Sequence, residues 1–196
     1  LRDAGHVQEV IGYGRGLANL QRAVDLGVVD RIETSLPAAV RDADMVVLAT
    51  PVGCMGEILG AIAPYLARDA VVTDVGSVKG AIAAAARTAL GEKLTGFVPG
   101  HPIAGTERTG VEASFASLFV GRRVVLTPLP ETGAAAVARV RAMWQAAGAE
   151  VVSMSVEHHD AVLAATSHLP HLLAYALVDM LARLDDSREI FAYAAG

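Results

Sequence analysis

The chain has 196 residues, 53% of them hydrophobic and 19% charged, so it has ample material for a buried core and is expected to be globular rather than disordered. Its net charge of -5, without any run of Lys and Arg, lacks the electrostatic footprint that a nucleic-acid partner requires. Asp, Arg, Pro or Gly interrupts the apolar stretches, so no membrane segment is expected; the single cysteine, Cys54, cannot form an internal disulfide and fits a reducing cytoplasm.

In chain order, residues 1–5 read as the last turn of a helix ended by Gly5, with neither an initiator Met nor the apolar run of a signal peptide, so the chain is expected to begin in mid-fold. From residue 7 to about 155, short β-branched runs alternate with Ala-rich helical segments. This is the pattern of parallel strands joined by crossover helices, and it predicts a doubly wound, mainly parallel α/β sheet. The expected strands are 9–13, 31–33, 45–49, 71–73, 96–98, 123–127 and 150–153. The expected helices are 17–26, 36–41, 55–66, 78–90 and 133–147, with a shorter one at 111–118. From 156 to 184 the period is helical throughout, with Leu163, Leu172, Leu173, Leu177, Met180, Leu181 and Leu184 forming an apolar face. The change from α/β to all-α predicts a domain boundary near residue 155.

The first glycine cluster, Gly12, Gly14 and Gly16, follows a strand and precedes a helix. It resembles a G-x-G-x-x-G phosphate loop, but position 17, where a small residue lets the helix pack on the strand, is Leu17. The competing reading makes 9–13 the second strand of the fold, so that Tyr13, Gly14 and Arg15 face an adenosine ribose. A carboxylate there would suit NAD, and an arginine suits the 2′-phosphate of NADP. Glu33, at about the distance of the ribose carboxylate, keeps the first reading open.

Ligands of an open α/β sheet lie beyond the carboxyl ends of its strands. At one such end, Thr50, Pro51 and Val52 could wall a nicotinamide ribose or form an ordinary turn. At the next, Asp74-Val75-Gly76-Ser77-Val78-Lys79 offers a glycine for close backbone approach, and Ser77 as a helix N-cap or a ligand donor. At the third, His101 stands between Gly100 and Pro102, off any amphipathic face. A general base is the natural role there, since only His titrates near neutral pH unaided. His158, His159, His168 and His171 cluster in the helical segment, but no Cys or carboxylate lies at matching spacing and Pro170 disturbs the helix, so no metal is expected.

Three runs, Gly100-His101-Pro102-Ile103-Ala104-Gly105-Thr106-Glu107, Asp74-Val75-Gly76-Ser77-Val78-Lys79 and Ser167-His168-Leu169-Pro170-His171, resemble in order and spacing the prephenate/arogenate dehydrogenases of tyrosine biosynthesis. The resemblance implies a Rossmann-like nucleotide-binding domain over 1–155, and over 156–196 the start of a helical substrate and dimerisation domain that makes a homodimer. It implies oxidative decarboxylation of prephenate or arogenate with hydride transfer to NAD or NADP. His101 would accept the hydroxyl proton, Ser77 would be its hydrogen-bonding partner, and Thr106, Glu107 and His171 would serve the substrate. It also implies that the family's glycine loop precedes residue 1 and that its carboxylate-binding arginine follows Gly196. A non-catalytic nucleotide-binding or dimerisation module is the alternative.

Overall fold

The structure, a computed structural model, describes residues 1–2, 4–106, 108–184 and 187–193. Gly5, at φ +73°, donates its N–H to the carbonyl of Arg2 at 2.8 Å, and His6 donates to that of Leu1 at 3.0 Å. Paired bonds of this kind make a tight turn, and the positive φ is why glycine stands there.

Strand β1 (Ile11–Gly12) pairs in parallel with β2 (Arg31–Ile32), joined by helix α1 (Leu17–Asp25). The ladder is shorter than the expected 9–13 because Val10 directs its N–H to the Asp30 carboxylate at 2.7 Å. After helix α2 (Leu36–Val40), strands β3 (Met45–Leu48), β4 (Val71–Asp74) and β5 (Phe97–Val98) form a parallel sheet in the order β3-β4-β5, connected by α3 (Val52–Ile62) and α4 (Lys79–Ala89). Every residue of β4 is buried, and its neighbours alternate between two cores. Val72 and Phe97 pack with Met55, Leu59 and Ile82, whereas Val71 and Val98 pack with Val140 and Trp144 of α5 (Ala134–Ala146). Such alternation covers both faces, as a doubly wound sheet requires.

Among the described residues β3 has a ladder on one side only, and Val47 in its middle is 44% exposed. Among the described residues no ladder joins β1 to β3.

Strand β6 (Gly100–Pro102) was not foreseen. It pairs antiparallel with β7 (Arg123–Leu126), which runs parallel to β8 (Glu150–Ser153). Three residues, two of them Gly and Pro, have no hydrophobic period, and Pro102 is tolerated because β6 lies at the edge of its sheet. The expected helix 111–118 is corrected to a single 3₁₀ turn, Val111–Ala113. Ser114 Oγ bonds the Val111 carbonyl at 2.6 Å, competing with the helical ladder, and tight turns follow to Val120.

The described chain separates into two compact units, Leu1–Glu157 and His158–Gly196. The helical stretch comprises α6 (Val156–Leu163), a π turn at Ala164–His168, α7 (Leu169–Ala182) and α8 (Ser187–Tyr193). Pro170 cannot donate to the i−4 carbonyl, and the wider π turn precedes it. Contrary to the expectation from its interruptions, the run Val156–Ala182 is long and apolar enough to cross a membrane by length and composition alone, a test that helices of soluble proteins also pass.

Candidate active site

Strand β4 delivers Asp74 to its carboxyl end, and the first residue of α4 is Lys79; both side chains are fully buried and form an ion pair. Asp74 Oδ2 accepts the Gly76 N–H at 2.8 Å, and Oδ1 accepts the Gly100 N–H at 3.2 Å. Lys79 Nζ donates to Asp74 and to the Gly100 carbonyl, the latter at 2.6 Å. Burial pushes the Asp74 carboxyl above its usual range, against the opposing pull of the Lys79 charge and the two N–H donors.

The fit is tight around this pair. A Cβ on Gly76 would stand 2.6 Å from Ile82 Cδ1, 3.1 Å from Asp74 Oδ2 and 3.1 Å from Val52 Cγ2, so a larger residue there must shift the Ile82 side chain and press on Asp74. At Gly100 a Cβ would lie 3.0 Å from the Asp74 carbonyl oxygen. The glycines thus bring three strand ends together: Val52 after β3, Gly76 after β4, and Gly100 in β6.

The two residues expected to carry the chemistry flank this cluster. Ser77 is exposed on the loop beside Gly76; His101 follows Gly100, partly buried, its Cα opposite Val125 of β7. Of the two roles open to Ser77, the helix cap goes to Val78, which holds that position in extended conformation (φ −123°).

The remaining expected positions are scattered. Thr50 lies two residues past the end of β3, and among the described residues its buried Oγ1 has no hydrogen-bond partner; Pro51 caps α3; Val52 is the first residue of α3, which starts earlier than the expected 55. Tyr13, Gly14 and Arg15 are exposed on the loop between β1 and α1. The close contact of that helix with its strand is at Gly12, where a Cβ would meet Leu20 at 3.3 Å, and Leu17 is 62% exposed. Thr106 is exposed and donates to the Arg108 carbonyl at 3.1 Å, while Glu107 lies outside the described residues. A cavity of about 370 Å³ follows β6, lined by Ile103, Ala104, Gly105, Phe115 and Arg122. In the helical unit His171 donates from Nδ1 to the Ser167 carbonyl at 2.7 Å. Among the described residues no three His, Cys, Asp or Glu side chains are grouped to hold a metal.

Sequence reasoning named the motif containing Asp74 and Lys79 but gave neither residue a role. The signal available was a lysine at the head of an apolar, Ala-rich helix, a position that buries it unless an acid lies within reach.

The family model "Prephenate dehydrogenase, nucleotide-binding domain" matches residues 1–153, and "Prephenate dehydrogenase, dimerization domain" matches 155–196. The chain is 42% identical to a cyclohexadienyl dehydrogenase of Zymomonas mobilis over 177 residues, covering 89% of this chain and 59% of that protein. It is 36% identical to a prephenate dehydrogenase of Bacillus subtilis over 172 residues, 87% of this chain and 46% of that protein. It thus spans about half the length of these relatives. A crystal structure of prephenate dehydrogenase from Aquifex aeolicus, in complex with hydroxyphenyl propionate and NAD+, superposes with a TM-score of 0.90 at 40% identity, over 100% of this chain and 68% of that one.

Proposed function

Because the chain belongs to the prephenate dehydrogenase family, we propose that the protein carrying it oxidatively decarboxylates prephenate or arogenate, with NAD or NADP as hydride acceptor. The observation that carries this reading is the convergence of the Ser77 loop and His101 on one buried cluster at the carboxyl ends of the strands. In an α/β sheet that is where ligands bind.

The chain offers a seat for the dinucleotide. Just past β3, Thr50 Oγ1 is buried and has no partner among the described residues, and the close approach of Gly76 to Val52 and Ile82 keeps the neighbouring loop near the backbone. We assign Thr50, Pro51 and Val52 to the nicotinamide side, and Tyr13, Gly14 and Arg15, at the end of a second strand, to the adenosine ribose. When bound, the nicotinamide supplies the hydride acceptor. His101 accepts the proton of the substrate hydroxyl as hydride leaves the carbon bearing it, and Ser77 is the hydrogen-bonding partner of His101 beside that hydroxyl. The ring carboxylate then departs as CO₂ and the ring becomes a phenol. A base is needed because alkoxide character develops on the hydroxyl as the hydride departs. Thr106, Glu107 and His171 are assigned to the substrate.

We place the boundary near residue 155, with 1–155 binding the nucleotide and 156–196 opening a helical domain through which two copies pair. We also infer a cytoplasmic enzyme with neither nucleic acid nor membrane as partner, on the acidic charge and the single cysteine. The competing reading, a non-catalytic nucleotide-binding or dimerisation module, leaves a glycine-flanked histidine at a strand end without a role.

Replacing His101 with Asn in the full-length protein tests the assignment. Turnover is expected to fall by at least about two orders of magnitude with cofactor affinity little changed. Near-normal turnover would remove His101 from the mechanism.

A further inference from the structure

A lysine and an aspartate that are both fully buried need a reason. Their desolvation is costly, and a well-packed apolar pair of the same volume is often as stable or more so. What an apolar pair could not supply is polar partners for the Gly100 peptide. In the β6–β7 ladder, Thr127 donates to the Pro99 carbonyl and Ile103 to that of Arg123, so β7 serves the residues on either side of Gly100. Gly100, at an alternate position, turns its N–H and C=O away from β7, as antiparallel geometry dictates. Asp74 takes the N–H at 3.2 Å, and Lys79 fills the C=O at 2.6 Å. With its other oxygen Asp74 holds the Gly76 N–H, one residue before Ser77.

We propose that the Asp74–Lys79 pair is a positioning device: it clamps both ends of the Gly100 peptide and the Gly76 turn, and so sets the relative placement of His101 and Ser77. Neither side chain touches the reacting atoms. The pair acts through the backbone, one residue away from each chemical group. This rests on the reading that His101 is the proton acceptor.

The device makes a prediction that plain stability does not. Lys79→Met alone leaves a buried carboxylate without its cation, so the informative comparison is between two neutral double variants of the full-length protein. Asp74→Asn with Lys79→Gln keeps a donor for the Gly100 carbonyl; Asp74→Asn with Lys79→Met removes it. Both lack the buried charges. The Gln double is expected to turn over at least tenfold faster than the Met double, with the two KM values for cofactor within about twofold and their thermal midpoints similar. Equal turnover in the two, when both fold, overturns the proposal. So does a Met double whose loss of activity is matched by an equal loss of folded protein, or a Gln double that does not fold while the Met double does. His101→Asn measured alongside separates the failures: if that variant keeps its turnover, the catalytic reading is wrong; if it loses turnover while the two doubles match, only the clamp is.

Discussion

Arg15 is exposed on the loop that leaves β1, and under the proposal that β1 is the second strand of the fold it faces the adenosine ribose. No acidic residue stands beside it in sequence at Tyr13, Gly14 or Gly16, and the carboxylate of Glu33, whose N–H bonds the Gly12 carbonyl, is paired with Arg31. A charge-assisted contact from Arg15 to that phosphate would contribute about 1.5 to 3 kcal/mol, or about ten- to a hundredfold in affinity. The full-length enzyme is therefore expected to accept NADP at least as well as NAD, and Arg15→Ala to lose that preference. Comparison of kcat/KM for both cofactors decides it; a wild type that strongly prefers NAD, or a variant with unchanged preference, contradicts it. Which residues matter was only partly legible at this scale. His101 and Ser77 stand out because glycines flank them at strand ends, a local pattern. Lys79 does not, because its partners are Asp74, five residues back, and a carbonyl 21 residues ahead, and only the packing of β6 beside β4 brings those together. Of the two roles open to Ser77, helix N-cap or ligand donor, the first goes to Val78, because helix α4 begins at Lys79.

Among the elements, those with a strong period were legible and those shorter than a period were not. The apolar runs of β3 and β4, the apolar helix α3 and the Ala-rich helices α4 and α5 are long enough to declare themselves, whereas β6 is specified by its partner strand and by the Asp74–Lys79 pair. The segment 111–118 carries apolar residues at helical spacing, yet Ser114 and the turns after it divert its backbone bonds. The helix α7 makes the clearest element-level prediction. Leu169, Leu172, Leu173, Leu177 and Met180 are each more than half exposed on it, and full burial of each would contribute about 1.5 to 3 kcal/mol. Such a face calls for a partner, and the match of residues 155–196 to a dimerization domain makes a second copy the expected one. The intact protein is expected to sediment as a dimer at micromolar concentration; a monomer there would contradict the reading.

For the molecule as a whole, the sequence pattern was sufficient for fold class, since alternating strands and helices over 7–155 leave few arrangements other than a doubly wound sheet. What it could not convey was how the pieces of sheet join, because β1 and β3 carry no mark of which strand each pairs with. The central claim concerns chemistry, and the direct test is to give the full-length protein NAD and NADP with prephenate, with arogenate and with simple hydroxyacids, measuring reduced cofactor and released CO₂ together. Reduced nicotinamide and CO₂ are expected to appear in equal amounts with prephenate or arogenate, and the hydroxyacids to be inert. Turnover of a hydroxyacid without CO₂, or no turnover of either ring substrate with either cofactor, would contradict the account.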